Sequence, residues 1–482
     1  MTALVIYDDR QPIPTDGQHL VGVRSYSRLL HKKSTLLERS LQLFDGAGLT
    51  RVRVLSGQDD ADRLLQEWDD LAIDWPLLYL PSALASIDSD KTELFLRKIR
   101  YLRESFRVCF NGDEHMLLAA TPDQHRTVQA LLRGATPAAL SERLDLRRFD
   151  EELTGLSSLA QPSHLLEFLT TTFDARHFNA IRHSAHTITK TSTDRDKLRR
   201  EAQVFGLLPD RLKAFFLPTW DLQVTTDHAS YCMERLHMPD LAIQWVHGAI
   251  DRPAFEQLLD QLVCFIEARP QRDDEGRSAS HLYQEKVHQR IDQLHQLEAA
   301  APCLAMIATA TASGSDLREL ERRYAALLPR LQNHRHSWQS TISHGDLCFS
   351  NILYSTQNRC MRFIDPRGAD DTDGLYLDAY YDIAKLSHSI CGAYDFINHD
   401  LVDLSLTRDL RLQMIFPRRP DPDCKDYFLQ RMQELGFDSD LIRLYEASLF
   451  LSMLPLHIDV PKKVVAFAVV ADDILTDLER HQ

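Results

Sequence analysis

Residues 343–368 read "SHGDLCFSNILYSTQNRCMRFIDPRG" and set three acid or amide side chains, Asp346, Asn351 and Asp365, around two short apolar runs. The segment "MRFI" (361–364) alternates in the manner of a strand and ends directly before Asp365. A strand end is a rigid position for a side chain that binds a ligand. The stretch therefore predicts a site in which oxygen ligands from a loop and a strand end act together.

The intervals between these side chains fit one chemistry. Phosphoryl transfer from ATP needs a carboxylate near the attacking hydroxyl and oxygen ligands that hold Mg²⁺ against the phosphates. Protein kinases space these groups as H-R-D-x-x-x-x-N, and His344, Asp346 and Asn351 keep that interval. The structural alternative makes the HGD triplet a turn, Asn351 a helix cap and Asp365 a turn residue before Pro366. Three such residues at kinase spacing favour the catalytic interpretation.

The segments "HGDLCFSNIL" (344–353) and "FIDPRG" (363–368) resemble the aminoglycoside phosphotransferase and choline kinase family. The resemblance implies a two-lobed, protein-kinase-like fold over about residues 166–480. It also implies ATP and Mg²⁺ as cofactors and a hydroxyl of a small molecule as the phosphate acceptor. In the same terms, Asp346 is the catalytic base, and Asn351 and Asp365 bind Mg²⁺.

The same resemblance gives supporting roles to nearby residues. The stretch "YLDAYYDIAKLSHS" (376–389) is similar to a family segment in which an aspartate matching Asp382 supports the catalytic loop by hydrogen bonding. His344 belongs to that loop. Arg367 follows the metal ligand and either neutralises a phosphate or pairs with a neighbouring acid.

A kinase also needs a lysine on the α- and β-phosphates, oriented by a helix glutamate. The stretch "HTITKTSTDRDKLRREAQVFGLLP" predicts a strand carrying Lys190 and then a helix capped by Ser192 or Thr193. Glu201 falls within the apolar stripe of that helix. A carboxylate in that position is stabilised by a nearby cation, and Lys190 is the expected partner. The alternative leaves both side chains on the surface.

The nucleotide-binding features depart from the kinase pattern in one respect. The stretch "RHFNAIRHSAHTITK" contains no glycine, so close backbone approach to the phosphates would come from Asn179, Ser184 or Ala185. The segment "SYCMERL" resembles the connection between the two lobes of a kinase. That resemblance implies that backbone groups from Met233 to Leu236 contact adenine.

Two features mark the acceptor side, and each has a structural alternative. The segment "GADDTDG" (368–374) either binds polyol hydroxyls or an amine through Asp370, Asp371 and Asp373, or forms a solvated acidic turn. Four tyrosines either form a cage for a quaternary ammonium group or pack between helices; they are Tyr376, Tyr380, Tyr381 and Tyr394.

Size and composition set the broad class. The chain has 482 residues, which favours two or three domains. Its formal net charge of −15 argues against nucleic acid as a partner, since phosphate binding needs clustered Lys and Arg. Eight cysteines without C-x-x-C spacing indicate reduced thiols, and the 21 histidines form no H-E-x-x-H motif. There is no signal-peptide pattern and no run of about 18 apolar residues, so we expect a cytoplasmic protein without a membrane span.

The start of the chain predicts a β-α-β unit. The runs "ALVIY" (3–7) and "RVRVL" (51–55) read as strands, and Thr35 with Glu38 forms a capping box for the helix between them. This part resembles sugar-nucleotide nucleotidyltransferases. The glycine-rich phosphate turn of that family is missing, and no metal-binding Asp follows "PLLYL" (76–80). We therefore expect an inactive relative that serves binding, assembly or regulation, with an unrelated α/β domain as the alternative.

These observations predict a definite architecture. Residues 1–140 form an α/β domain with a parallel Rossmann-like sheet, through which the chain could form a homo-oligomer, and 141–165 form a linker. Residues 166–240 form a kinase-like N-lobe, and 241–482 form a mainly helical C-lobe. The predicted function is ATP- and Mg²⁺-dependent phosphorylation of a sugar, an amino alcohol or a related metabolite. The alternatives are a non-catalytic pseudokinase scaffold and a bifunctional nucleotidyltransferase and kinase.

Overall fold

The structure, a computed structural model, describes residues 3–22, 24–31, 34–68, 76–99, 101–110, 114–119, 124–135, 147–170, 179–184, 186–335, 337–408, 412–416 and 421–480. The chain divides into two compact units, with the boundary after residue 173 and with 247–249 grouped with the first unit.

The first unit combines strands with six helices in its described part. Its strands are β1 (Leu4–Asp8), β2 (Leu30–His31), β3 (Ser34–Thr35), β4 (Arg51–Leu55), β5 (Leu77–Pro81), β6 (Leu84–Ser86), β7 (Phe106–Phe110), β8 (Glu114–Ala119), β9 (Arg147–Phe149) and β10 (Leu156–Ser158). Its helices are α1 (Thr15–Val21), α2 (Leu36–Gly46), α3 (Gln58–Gln66), α4 (Ser89–Ile99), α5 (His125–Leu132) and α6 (Pro162–Thr170).

The main sheet of the first unit has the strand order β4-β1-β5-β8-β7-β9. Strand β1 pairs in parallel with β4 and β5, as the β-α-β pattern predicts. Strand β8 pairs antiparallel with β5 and β7, so the sheet is mixed, and the expectation of a parallel sheet needs correction. Only three residues separate β7 from β8, which permits a hairpin but not a parallel crossover.

Both faces of this sheet are buried. Along β1, Val5 and Tyr7 join one apolar cluster, whereas Leu4 and Ile6 join another. Alternation along the strand sends successive side chains to opposite faces. Helices α2 and α4 cover the first face through Phe44 and Phe95, and α3 and α5 cover the second. The capping box predicted for α2 is present, because Thr35 and Glu38 exchange side-chain and backbone hydrogen bonds.

The segment 141–165, expected to be a linker, belongs to the first unit wherever the structure describes it. Strand β9 pairs in parallel with β7, and β10 pairs antiparallel with β6. Phe149 packs against the first-face cluster, and Leu156 is buried in it. Isolated apolar residues between charged ones carry this packing, and average composition does not reveal them.

The second unit begins with a small sheet and continues as a mainly helical part. Its strands are β11 (Asn179–His183), β12 (Thr187–Ser192), β13 (Thr219–Val224), β14 (Ala229–Glu234), β15 (Gln271–Asp273), β16 (Gln339–Ile342), β17 (Ile352–Ser355), β18 (Cys360–Phe363), β19 (Tyr376–Asp378), β20 (Asp403–Leu406) and β21 (Leu412–Ile415). Its helices are α7 (Arg195–Leu207), α8 (Asp210–Lys213), α9 (Leu241–His247), α10 (Arg252–Ala268), α11 (Arg277–Ala279), α12 (Lys286–Gln296), α13 (Ala301–Ala310), α14 (Leu317–Gln332), α15 (Tyr381–Ile390), α16 (Tyr394–Asn398), α17 (Pro422–Glu434), α18 (Ser439–Met453) and α19 (Pro461–Arg480).

The small sheet is antiparallel throughout, in the order β11-β12-β14-β13. Helix α7 follows β12, as predicted, but its N-cap is Asp194 rather than Ser192 or Thr193. The Asp194 carboxylate accepts a hydrogen bond from Lys197 N at 3.2 Å, and Ser192 instead accepts one from Asp194 N. A carboxylate at this position also interacts favourably with the helix dipole.

Short strands carry the quoted motif into the helical part. Strand β16 pairs with β15 and β19, and β17 pairs with β18 in a hairpin. Asp346 lies on the loop after β16, and Asp365 lies two residues after the end of β18. Paired strands fix both starting points, so the loop and the strand end of the motif have a rigid base.

All eight cysteines are free thiols. Among the helices that the structure describes, none combines the length and the apolar composition needed to cross a bilayer.

Asp395 in α16 is fully buried. Burial raises its pKa to about 7, and nearby Asp240 adds to the rise. A carboxyl whose pKa is raised on folding stabilises the native state below its unfolded pKa, and this contribution is lost as the pH rises to about 7.

We therefore expect Asp395→Asn to gain stability relative to the parent protein between pH 4 and pH 8, by up to about 4 kcal/mol. Urea unfolding at several pH values measures this difference. The matched control is Asp426→Asn on the exposed face of α17, which should show no pH-dependent gain. Parallel pH profiles for Asp395→Asn and its parent would contradict the prediction.

Candidate active site

The loop that carries Asp346 is held by its backbone. Gly345 has a φ of +81°, and a Cβ there would lie 2.5 Å from the Cβ of Arg367, so only glycine fits. The carboxylate of Asp382 accepts hydrogen bonds from His344 N at 2.8 Å and Gly345 N at 2.9 Å. These two bonds fix the peptide units directly before Asp346.

Asp382 is itself stabilised from two sides. It lies in the first turn of α15, where the helix dipole favours a negative charge. The guanidinium of Arg269 is 3.5 Å from its carboxylate, and both side chains are buried. An unpaired carboxylate at this depth would cost several kcal/mol. The cation and the two backbone donors together make the buried charge tolerable.

His344 connects the loop to the strand end. Its Nε2 donates to Ile364 O at 2.9 Å, and its Nδ1 accepts from Asp346 N at 3.2 Å, an assignment that follows from the two partners. Burial lowers the pKa of His344, although Asp382 and Asp346 oppose that effect. A neutral imidazole therefore bridges Asp346 and the residue that precedes Asp365.

Asn351 and Lys385 contact Asp346 directly. The Asn351 Nδ2 donates to the backbone oxygen of Asp346 at 2.8 Å and to its carboxylate at 3.2 Å. The Nζ of Lys385 lies 2.9 Å from the other carboxylate oxygen. Partial burial raises the pKa of Asp346, but Lys385, His344 and Asn351 more than offset it and bring the pKa to about 2. The side chain remains 47% exposed, so a ligand can reach it.

Asp365 occupies a constrained position. Its φ is +54°, in the left-handed region that few residues other than glycine adopt. Such a conformation costs about 1–2 kcal/mol and is found mainly where surrounding structure enforces it. The backbone of the preceding residue is fixed, because Ile364 N donates to Asn351 O at 3.0 Å. This bond ties the residue directly before Asp365 to the backbone of Asn351.

Lys190 joins the small sheet to the helical part. Its Nζ lies 2.6 Å from the Glu201 carboxylate and 3.0 Å from that of Asp365. Burial lowers the pKa of Lys190, but Asp365 and Glu201 more than offset that effect, so the pKa is raised and the amine stays charged. Tyr231 donates to the same Glu201 oxygen at 2.6 Å. Lys190, Glu201 and Asp365 thus form one connected charge cluster.

An apolar cluster lies beside these charges. It joins the small sheet, α7 and the β17–β18 hairpin, and its members include Ile188, Met233, Leu236, Leu353 and Ile364. Met233 is buried in β14, and Leu236 follows that strand. Neither the amide nor the carbonyl of Leu236 bonds to any residue that the structure describes. These backbone groups remain available to a flat heterocycle.

The loop after Asp365 packs directly on α7. A Cβ at Gly368 would lie 2.6 Å from Glu201 N and 2.7 Å from the Arg200 side chain. Asp370, two residues further on, pairs with Arg199 at 2.6 Å. The helix that carries Glu201 and the loop that follows Asp365 are therefore positioned against each other.

The described side chains can be compared with the ligands that a metal ion needs. No group of three His, Cys, Asp or Glu side chains able to hold a metal occurs in the described ranges. Mg²⁺ needs less than this, because it is usually held by one or two carboxylates together with waters and substrate phosphates. No described residue donates to the carboxamide oxygen of Asn351, and the side chain of Asp365 is 41% exposed. The donor set fits Mg²⁺ bound with a nucleotide.

Other predicted positions differ in what they contact. The guanidinium of Arg367 is exposed and forms no ion pair within the described part of the chain, so it does not follow the neighbouring-acid alternative. Asn179 and Ser184 lie on β11 and at its end, whereas Ala185 is outside the described residues. No pattern in the sequence indicated Tyr231 or Lys385, since their contacts with Glu201 and Asp346 join residues far apart in the chain.

The structure also shows what the acidic turn 368–374 and the tyrosines contact. Asp370 pairs with Arg199, Asp373 pairs with Arg272 at 2.6 Å, and Asp371 accepts a hydrogen bond from Gly374 N. Two carboxylates of the turn therefore pair with arginines from elsewhere in the chain, and the third accepts a hydrogen bond within the turn. Among the tyrosines, Tyr376 and Tyr380 each face a guanidinium of the chain itself, that of Arg272 at 3.8 Å and that of Arg335 at 4.8 Å from the ring centroid.

Comparisons with known proteins find structural neighbours only. No protein-family model and no curated protein matches the chain. Among solved structures, the aminoglycoside phosphotransferase APH(4)-Ia is 10% identical with a TM-score of 0.35, over 66% of this chain and 99% of that one. APH(3'')-Id from Streptomyces rimosus, in complex with ADP and streptomycin, is 17% identical with a TM-score of 0.36, over 57% and 90%.

A protein from Haemophilus somnus assigned as a fructosamine-3-kinase is 12% identical with a TM-score of 0.38, over 66% of this chain and 96% of that one. The structural neighbours thus include aminoglycoside phosphotransferases. The second unit of this chain has mixed α/β content and a mainly helical C-terminal part. Identities and scores this low carry nothing about activity or substrate.

The contact between Gly368 and α7 can be tested without a substrate. A methyl group at this position meets backbone atoms, which cannot rotate away, so Gly368→Ala should destabilise the protein by about 1–3 kcal/mol. The control is Gly206→Ala on the same helix, where nothing lies within 4 Å of the added methyl. That change should stabilise by about 0.5–1 kcal/mol. Denaturant unfolding measures both, and equal effects of the two variants would contradict the contact.

Proposed function

We propose that this protein is an ATP- and Mg²⁺-dependent kinase that phosphorylates a hydroxyl of a small molecule. One observation carries the proposal: Lys190 pairs with Asp365, the residue before Asp365 donates its backbone N–H to Asn351, and the Asn351 carboxamide donates to Asp346. Phosphoryl transfer needs a cation on the phosphates, oxygen ligands for the metal and a carboxylate at the acceptor, in that spatial order. The contacts supply these groups in that order.

Lys190 is suited to bind the α- and β-phosphates. The carboxylate of Glu201, on α7, pairs with its amine, and Tyr231, on β14, donates to the same carboxylate oxygen, so the ammonium group is held in one position. Asp365 and the carboxamide oxygen of Asn351 would hold Mg²⁺, which supplies charge neutralisation along the phosphates when bound. Arg367 provides an additional exposed cation beside these ligands.

Asp346 is suited to orient the acceptor hydroxyl and to take its proton late in the reaction. A carboxylate with a pKa of about 2 is ionised at neutral pH and is a weak base. Such a group contributes mainly by positioning the nucleophile and by accepting the proton once the bond to phosphorus has begun to form. Asp382 and His344 act through Asp346 by fixing its backbone.

The competing interpretation is a pseudokinase scaffold that binds nucleotide without turnover. The absence of glycine between residues 176 and 190 favours it, since kinases cover the phosphates with a glycine-rich loop. The preserved Lys190, Glu201, Asn351 and Asp365 contacts count against it, because a scaffold has no need for a strained metal-ligand position.

For the first unit we propose binding, assembly or regulation rather than nucleotidyl transfer, with self-association as one such role. Ligands of α/β sheets bind at the carboxyl ends of the parallel strands. At that edge, Arg10 donates to both carboxylate oxygens of Asp8, at 2.8 and 2.7 Å, and Tyr79 donates to Asp8 at 2.7 Å. Arg10 also donates to the carbonyl oxygens of Leu131 and Leu132. An ion pair of the chain itself thus lies at this edge of the sheet, which disfavours nucleotidyl transfer there.

Asp346→Asn tests the catalytic proposal. The variant keeps the shape of the loop but loses the base, so turnover of ATP with a panel of sugars and amino alcohols should fall about 10²- to 10⁴-fold. Calorimetric affinity for ATP should stay within a few-fold of the parent. Asp227→Asn, on an exposed turn of the small sheet, is the control. Nucleotide binding without turnover in the parent protein would support the scaffold instead.

Metal dependence gives a second test. Asp365→Asn and Asn351→Ala each remove one proposed Mg²⁺ ligand, so the Mg²⁺ concentration needed for half-maximal activity should rise at least about tenfold. A titration of activity against Mg²⁺ at fixed ATP measures this shift. An unchanged Mg²⁺ requirement in both variants would remove these residues from the metal site.

A further inference from the structure

One face of α15 looks toward Asp346. Tyr381, Lys385 and His388 recur at intervals of four and three residues, which places them on the same side of the helix. The contact of 2.9 Å between Lys385 Nζ and the Asp346 carboxylate shows which way that face points. In a kinase that uses Asp346 as its base, this face borders the space of the acceptor.

A second lysine reaches the same face from another helix. The Nζ of Lys286, at the start of α12, donates to the Tyr381 hydroxyl at 3.2 Å. No carboxylate in the described part of the chain lies within 4.0 Å of this ammonium group. A π-helical segment, Ser280–Glu285, directly precedes Lys286, and such segments occur frequently at functional sites. Lys286 is a partly buried cation without an anionic partner.

Lys286 and Lys385 both affect the pKa of the Tyr381 hydroxyl. Burial raises the pKa of Tyr381, but Lys385 and Lys286 more than offset this effect, and the pKa is lowered. His388, on the same face, is neutral. It is buried, burial lowers its pKa well below the usual value, and neither ring nitrogen has a partner in the part of the chain that the structure describes. Of the two lysines at this face, Lys385 is paired with Asp346, whereas Lys286 contacts the Tyr381 hydroxyl.

The acids of the turn 368–374 do not act as partners for Lys286. Asp370 and Asp373 are paired with Arg199 and Arg272. A polycationic acceptor needs several free carboxylates, and neither Asp370 nor Asp373 offers one without giving up its arginine, which leaves Asp371, an acceptor for Gly374 N, as the acid of this turn without an arginine. An acceptor with an anionic group would instead complete the environment of Lys286.

The geometry points to an acceptor that carries an anionic group, a carboxylate or a phosphate, in addition to the hydroxyl that is phosphorylated. Lys286 binds the anionic group, and Lys385 holds Asp346 beside the hydroxyl. This inference rests on the proposed kinase function and names its substrate class. In the reaction, the hydroxyl oxygen forms the bond to the γ-phosphorus of ATP, ADP leaves with the bond electrons, and the hydroxyl proton passes to Asp346.

Matched compounds test the charge preference. One set is glycerol, glycerate, glycerol 3-phosphate and 3-aminopropane-1,2-diol, and the other is glucose, glucuronate, glucose 6-phosphate and glucosamine. Calorimetry with the full chain, Mg²⁺ and a non-hydrolysable ATP analogue measures binding without turnover. We expect a carboxylate or phosphate member of at least one set to bind about tenfold more tightly than its neutral and cationic counterparts. The two anion types within each set distinguish carboxylate from phosphate.

Lys286→Gln should remove most of that preference, about tenfold, while Lys286→Arg should retain part of it. Lys462→Gln is the matched control, because it removes a lysine that pairs with Asp400 elsewhere in the second unit. The affinity for the ATP analogue should stay unchanged in Lys286→Gln. A loss of nucleotide affinity with unchanged acceptor affinity would place Lys286 on the γ-phosphate and overturn the inference.

The remaining outcomes separate the two proposals. Tighter binding of the neutral or cationic members, or no binding of any anionic member, overturns the acceptor inference alone when the protein still binds ATP and phosphorylates a neutral or cationic compound in an Asp346-dependent manner. Failure to bind the nucleotide at all overturns the kinase function and the acceptor inference with it.

Discussion

The ammonium group of Lys190 is the interaction on which the rest of the second unit depends. It lies between the carboxylates of Glu201 and Asp365. Glu201 is on α7, which follows strand β12 of the small sheet, and Asp365 follows strand β18 of the helical part. A buried lysine without such partners would lose its charge or destabilise the fold. The pair therefore fixes how α7 and the β17–β18 hairpin face each other. The backbone contact of Gly368 with α7 adds a steric constraint in the same place.

Near Asp346, single buried polar side chains likewise hold two neighbouring groups in place. Asp382 uses one buried carboxylate to fix two peptide units, and His344 uses two ring nitrogens to join the loop to the strand end. Each of these groups is satisfied inside the protein, so it holds position without a ligand. Within the residues that the structure describes, the carboxamide oxygen of Asn351 accepts no hydrogen bond and the backbone of Leu236 forms none, and the ammonium group of Lys286, which donates to Tyr381, has no carboxylate partner.

Much of this could be predicted from local patterns, and the failures have physical causes. The spacing around Asp346 placed the strands and the loop, and the apolar stripe of α7 identified Glu201 and its partner. The antiparallel half of the first sheet was missed because strand pairing depends on which strands meet, and periodicity does not record that. The supposed linker was misread because Phe149 and Leu156 find their partners far away in the chain. The N-cap moved to Asp194 because neighbouring polar residues compete for one backbone position.

The sequence by itself determined the type and order of the site residues, since hydrogen-bonding groups, charges and their spacing are written in the chain. It also determined the local elements that carry them, because hydrophobic period and capping are local properties. Only the tertiary structure decided which charges remain free. Lys385 pairs with Asp346, the acids of residues 370–373 pair with arginines or a backbone amide, and Lys286 has no carboxylate partner in the described chain. Ion pairing acts over a few ångströms in space, and distance in space is what a sequence does not contain.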